Sequence, residues 1–298
     1  MIHTLDLNFL GDPNSIAAYL VETEVGPLLF ETGPYSTFPY LKKAVEDLGY
    51  QLTDIRHVFL SHIHLDHAGA AWALAEHGAT IYVHPRGEKH LAEPERLMSS
   101  ATRIYGEHMD RLWGAMNPIA PEQLQIMEDG EKVKIGGIKV RAWHTPGHAV
   151  HHIAWQVENV NLIAGDVAGV KIKQGIAVPP CPPPDINLED WERSIRFILS
   201  RRYDCLYLSH FGEIKGTKNI KLHLTELRSR LRSWANWIKP YYEQGMSPAE
   251  ITPKFEEYVN NQYKAAEMPE DLKKYYQNAN PEWMSVAGLL RYWKKQEG

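Results

Sequence analysis

Two cysteines, Cys181 and Cys205, in 298 residues are too few for a disulfide framework and fit a reducing compartment; both read as structural. No apolar run approaches the roughly 20 residues that cross a bilayer, so no membrane span is expected. The opening MIHTLDLNFLGDPNS has neither a basic leader nor an unbroken apolar stretch, so no secretory signal is expected and the cytoplasm is the expected location. Long basic runs are missing and the net charge is −5, which argues against a nucleic-acid substrate, because phosphate contacts depend on clustered Lys and Arg. Repeats and low-complexity tracts are also missing. With 44% hydrophobic and 23% charged residues, the composition is that of an ordinary globular protein. Single cores rarely grow past roughly 250–300 residues, so the length suits one large domain with an extension.

Histidine is what the chain has in excess, fifteen of them, and their clustering matters more than their number. Residues 16–32 read as two strands joined at Val25-Gly26-Pro27, and residues 37–49 as a helix with Leu41, Val45 and Leu48 on one face. A strand at Val58–Ser61 then runs into a histidine-rich loop, followed by a small-residue helix over 68–78 and a strand in TIYVH. This alternation favours α/β layers. Beyond a mainly helical stretch from Pro85, a hairpin turns at Asp129-Gly130 and Gly136-Gly137 and leads to His148; later strands end at Asp166 and His210. The Pro-rich VPPCPPPD at 178–185 reads as an extended surface loop. From residue 213 the pattern is helical, with Ser247, Pro248 and Glu250 forming a capping box and Asn280-Pro281-Glu282 opening the last helix similarly.

The strongest signal is His62-Ile63-His64-Leu65-Asp66-His67, four ligand-type side chains within six residues. Imidazole and carboxylate suit Zn, Fe or Mn, and a tight loop holding four of them has no packing rationale. His57, His77, His84, His90, His108 and His223 lack ligand spacing and read as surface or supporting residues. His151 and His152 could donate to a ligand or be structural.

The H-x-H-x-D-H loop at 62–67, with TPGH at 145–148, AGD at 164–166 and SHFG at 209–212 following in order, resembles the metallo-β-lactamase superfamily over residues 1–212. The resemblance implies a four-layer αββα sandwich, here with an α-helical extension at 213–298 that packs on it and shapes the substrate pocket. It implies two divalent metal ions, Zn first with Fe or Mn as alternatives. His62, His64 and His148 would hold one, Asp66, His67 and His210 the other, and Asp166 would bridge them. A hydroxide between the metals would be the nucleophile, with Asp66 orienting the moving proton. Glu31, in LLFETGP, stands where many members have aspartate, which alters the support of the ligands rather than the ligand set.

The resemblance favours hydrolysis of an activated acyl bond in a thioester or lactone, as in glyoxalase II-like enzymes, on a small-molecule substrate, with a homodimer left open. β-Lactamase action is disfavoured by the bridging Asp166, flavodiiron electron transfer by His64, and RNA processing by the charge balance. A mono-iron persulfide dioxygenase and a metal-containing ligand-binding regulator with little turnover are the alternatives; His210 speaks against the first. Lys215, Lys218 and Lys221 read as a solvated helix start rather than an anchor for an acidic tail.

Overall fold

The structure, a computed structural model, describes residues 1–297. Its first sheet takes its strands in chain order: Ile2–Asp6 (β1), Ala17–Val21 (β2), Leu28–Phe30 (β3), His57–Phe59 (β4), Thr80–Val83 (β5) and Leu124–Ile126 (β6). The second runs Lys132–Ile135 (β7), Ile138–His144 (β8), Ile153–Val157 (β9), Asn161–Ile163 (β10), Cys205–Leu208 (β11) and Gly212–Lys215 (β12). Both are mixed, with β3 to β6 parallel and β10 parallel to β11.

Alternation along the strands creates three apolar layers. Successive side chains point to opposite faces, and here both faces are apolar. Leu28 and Phe30 meet Phe59, Trp155 and Tyr207 between the sheets, whereas Leu29 and Val58 face the helices on the outer side of the first sheet. Leu206 and Leu208 point the other way, into a layer under the helices of the second sheet. The result is helices, sheet, sheet, helices: the αββα sandwich expected from the motifs.

The helices over the first sheet are Phe38–Asp47 (α1), Leu65–Ala68 (α2), Ala71–Glu76 (α3), Pro85–Ala92 (α4), Glu95–Tyr105 (α5) and Met109–Leu112 (α6). Those over the second are Leu188–Leu199 (α7), Thr217–Glu243 (α8), Pro248–Ala265 (α9), Leu272–Ala279 (α10) and Glu282–Gln296 (α11). Ile195, Leu206, Leu227, Phe255 and Leu289 belong to one buried cluster, so the C-terminal helices share a core with the second sheet. The capping box at Ser247 and Glu250 is formed.

Four local expectations need correction. The helix over 68–78 is two helices, because Ala70 N donates to Gly33 O (3.0 Å) instead of continuing the helical ladder. The segment at 178–185 is a surface loop only in its second half: Val178 to Cys181 are buried beneath α11, where Gly288 lies against the Cys181 carbonyl, and Pro184 is exposed. Prolines suit such burial, since they bring no N–H in need of a partner. Asn280 does not cap α11; its Oδ1 accepts from Ser285 Oγ at 3.1 Å. His84 and His223 are buried rather than superficial: His84 Nδ1 caps α4 by accepting from Arg86 N, and His223 Nε2 lies 2.7 Å from Ala168 O.

Candidate metal centre

Four strand ends deliver the cluster to one edge of the sandwich. The 62–67 loop follows β4, and two hydrogen bonds clamp it to the turn after β3: Thr32 N to His67 O (2.9 Å) and Thr32 Oγ1 to the same oxygen (2.9 Å). His148 follows β8 through Gly147, at φ 133°, where a Cβ would fall 2.2 Å from Trp191 Cα. Only glycine lets the chain pass that close. Asp166 lies in a single helical turn, Gly165–Ala168, after β10, and His210 follows β11.

All seven side chains singled out from the sequence converge. His64 Nδ1 is 2.9 Å from His62 Nε2 and 3.1 Å from His148 Nε2. On the other side, His210 Nε2 lies 3.3 Å and His67 Nε2 3.5 Å from Asp66 Oδ2. Asp166 stands between: Oδ2 is 3.4 Å from His148 Nε2, while Oδ1 is 3.5 Å from His67 Nε2 and 3.6 Å from His210 Nε2. Ligand atoms of His62, His64 and His148 lie within 4.8 Å of one another, as do those of His62, His67 and Asp166, and those of Asp66, His67 and His210.

The outward nitrogens explain why the inward ones face each other. His148 Nδ1 is 2.9 Å from Pro180 O and His210 Nδ1 is 2.7 Å from Ser15 O. A carbonyl can only accept, so these nitrogens each carry a proton and Nε2 is the nitrogen that faces inward. His67 Nδ1 faces Glu31 Oε2 at 3.3 Å, and Glu31 Oε1 accepts from Ser61 N at 3.2 Å. Such outer partners fix ring orientation in metal sites.

Charge separates the cluster into two halves. Burial pushes His62 and His64 below the usual imidazole range and His148 down to about 4, so these three are neutral. Burial acts the same way on His67 and His210, but the Asp66 and Asp166 carboxylates outweigh it and raise both. In return, burial opposes ionisation of Asp66 and Asp166, yet His67 and His210 hold both below the normal carboxylate range. Protons on His67 and His210 thus stand where a cation would. Asp166 Oδ1, His67 Nε2 and His210 Nε2 are buried without a hydrogen-bond partner among the described residues. Orphaned atoms of this kind cost free energy unless something satisfies them, and a divalent cation fits a donor set of imidazoles and carboxylates.

The cluster floors a cavity of about 440 Å³. Its walls come from residues 9–16, from α5 and α6, from the buried proline segment, and from residues 277–284 of α10 and α11. Asp12 ties two of these walls, accepting from Lys274 Nζ at 2.6 Å and Asn278 Nδ2 at 3.0 Å. Lys215, Lys218 and Lys221 are exposed and do not line it. His152 is structural, bonded between Thr145 Oγ1 (2.8 Å) and Val167 N (3.3 Å). His151 is buried beside the cluster, its Nε2 3.9 Å from Asp185 Oδ2, and does not reach the cavity. Most C-terminal aromatics pack in the core, with Trp283 the one aromatic among them at the cavity wall. Sequence reasoning missed the carbonyls of Ser15 and Pro180, which carry no side-chain signature.

A two-sheet α/β sandwich with a histidine and aspartate cluster at one edge defines a class of metal-binding proteins, and comparison with known sequences gives the family. The sequence model described as "Metallo-beta-lactamase superfamily" matches residues 11–210, and the chain belongs to that superfamily. It is similar to the metallo-beta-lactamase fold-containing protein ST1585 of Sulfurisphaera tokodaii, 23% identical over 77% of this chain and 85% of that protein. It also resembles thioesterase pkgB of Emericella nidulans, 28% identical over 54% of this chain but only 39% of that protein. Among solved structures, TTHA1429 of Thermus thermophilus, a metallo-beta-lactamase family protein, superposes with TM-score 0.69 at 19% identity over 99% of this chain and 94% of that one. A B3 metallo-beta-lactamase with an active-site glutamic acid gives 0.59 at 20% identity over 78% of this chain and 86% of that one. No helix among the described residues is long and apolar enough to cross a membrane.

Proposed function

We propose that the protein is a metal-dependent hydrolase of small molecules that cleaves an activated acyl bond, in a thioester or a lactone, with two divalent ions at this centre, Zn first and Fe or Mn as alternatives. The observation that carries the reading is Asp166, whose two oxygens face different halves of the cluster, Oδ2 towards His148 and Oδ1 towards His67 and His210. In this reading His62, His64 and His148 hold one ion, Asp66, His67 and His210 the other, and Asp166 both. Bound there, the ions supply Lewis acidity at the carbonyl and bring the pKa of coordinated water towards about 7.

The chain's own residues do the rest. Asp66 is partly exposed and lines the cavity, placing its carboxylate where it can hold the proton that moves during cleavage. Residues 1–212 carry the chemistry, and residues 213–298 complete the substrate wall through 277–284. The name of the fungal thioesterase supports a thioester as one substrate class.

The test is metal analysis of protein prepared without chelators, combined with a panel of thioesters, lactones and phosphoesters, for the native protein and Asp66→Ala. About two divalent ions per chain, with acyl hydrolysis lost by at least about 100-fold in the variant, is the expected result. Hydrolysis untouched by the substitution, or a metal content near zero, overturns the reading. One iron per chain with oxygen uptake on a persulfide selects the dioxygenase instead.

A further inference from the structure

Beside the floor residues His64, Asp66, His148 and Asp166, the only ionisable side chains on the cavity wall among the described residues are Tyr105 and His108. No lysine, arginine or glutamate reaches it. The wall is otherwise mainly hydrocarbon and aromatic, with Phe9, Leu97 and Trp113 on one side and Trp283 and Met284 on the other, and its remaining polar members, Ser100, Gln277, Asn278 and Asn280, are uncharged. The Tyr105 hydroxyl is turned sideways to Met284 Sδ at 3.4 Å, which spans the two sides, and its ring packs edge-on to Trp283 at 6.1 Å. At the rim, Ile104 and Trp283 leave 46% and 39% of their surface in water, apolar surface that a chain emerging from the cavity would cover.

Such a wall discriminates by charge. A carboxylate or phosphate tail entering it would shed water with no lysine or arginine to meet it, which is unfavourable. A methylene tail gains on entry. We propose that this cavity selects an uncharged acyl compound with an apolar tail, its acyl carbon over the Asp66 and Asp166 floor and its tail running between α5 and α11 past Trp283. The inference rests on the hydrolytic reading and sharpens it to a substrate class: fatty or aromatic acyl esters, thioesters or lactones rather than thioesters with anionic tails. In the reaction, water oxygen bonds to the acyl carbon, the carbon–sulfur or carbon–oxygen bond breaks, and the leaving thiol or alcohol takes a proton.

The test uses the full metal-loaded chain with acetyl, hexanoyl and decanoyl thioesters of thiophenol, and a decanedioyl monothioester whose chain ends in a carboxylate. We expect kcat/KM to rise roughly two- to fourfold per buried methylene and the terminal carboxylate to remove at least about tenfold of that gain. Trp283→Ala should lower the decanoyl-to-acetyl ratio at least about tenfold, and Trp283→Lys should shift the preference towards the carboxylate-ended chain. Binding of dodecan-2-one, which has the tail but no scissile bond, is read separately by tryptophan fluorescence. Turnover of the acetyl thioester with no dependence on chain length overturns this inference and leaves the hydrolase standing. Saturable ketone binding that weakens in Trp283→Ala, with no thioester turned over, defeats the hydrolase and keeps the apolar site.

Discussion

Glu31 Oε2 and His67 Nδ1 face each other at 3.3 Å, both side chains 1% exposed, and Glu31 sits at φ 63°, in the left-handed region that non-glycine residues rarely adopt. The same carboxylate takes the Ser61 amide at its other oxygen, so it joins the turn after β3 to the ligand loop after β4.

Glu31→Gln should therefore weaken metal binding without removing a ligand. An amide can still accept from Ser61 N, but it no longer offers His67 a charge, and losses of about 10- to 100-fold in metal affinity accompany changes to such outer partners. Competition with a chromogenic chelator measures this. An unchanged affinity would mean that the Glu31 contact does not orient His67.

His223, on the buried face of α8, has its Nε2 on Ala168 O, and burial lowers its pKa to about 4. Its folded value is below the unfolded value of about 6.5, so the stability it contributes is present above pH 6.5 and is lost as pH falls through about 4. The difference corresponds to about 3 kcal/mol. His223→Gln, which keeps a donor for Ala168 O, should flatten this part of the acid limb in urea titrations between pH 6.5 and 4. A slope identical to that of the native protein over that interval would rule the histidine out as its source.

The motifs were legible because ligand-type side chains sit where strands end, and strand ends can be read from apolar runs. His148, Asp166 and His210 lie four, three and two residues past the ends of β8, β10 and β11, and all three reach the 62–67 loop. Of the cavity wall, only the share of the C-terminal extension was expected, through the resemblance. Phe9, Trp113 and Trp283 come from segments far apart in sequence and meet only because α10 and the proline segment fold back over the site. The proline run misled because proline is usually exposed; here its missing N–H is what permits burial. Helix α10 starts behind Asp271, a capping-type residue, but its side chain makes no capping hydrogen bond in the structure.

Gly147→Ala is the sharpest backbone test. The added methyl would meet Trp191 Cα at 2.2 Å and Trp191 N at 2.3 Å, main-chain atoms of α7 that cannot rotate away, and φ 133° strains any other residue. A loss of about 3 kcal/mol or more is expected, with His148 displaced from the cluster. Denaturant unfolding and metal stoichiometry should fall together. Native stability in this variant would show that the TPGH turn tolerates movement, contrary to the geometry.

Metal removal should be felt more at high pH than at low. Without a cation, Asp66 and Asp166 are offset by protons on His67 and His210, whose folded pKa values are raised. That stabilisation is fully present below about pH 6.5 and is lost as pH climbs through the raised values, because the carboxylates then face neutral rings in a buried site. A bound cation does not depend on those protons, and its affinity grows as they leave. At a metal concentration 100 times its Kd the gain is about 2.7 kcal/mol, and the Kd itself should fall between pH 6 and 8.5. Melting with excess Zn and with chelator at both pH values should accordingly give a Tm gap that widens on the alkaline side. A gap that narrows there would mean that His67 and His210 do not give up protons to the metal, and so are not its ligands.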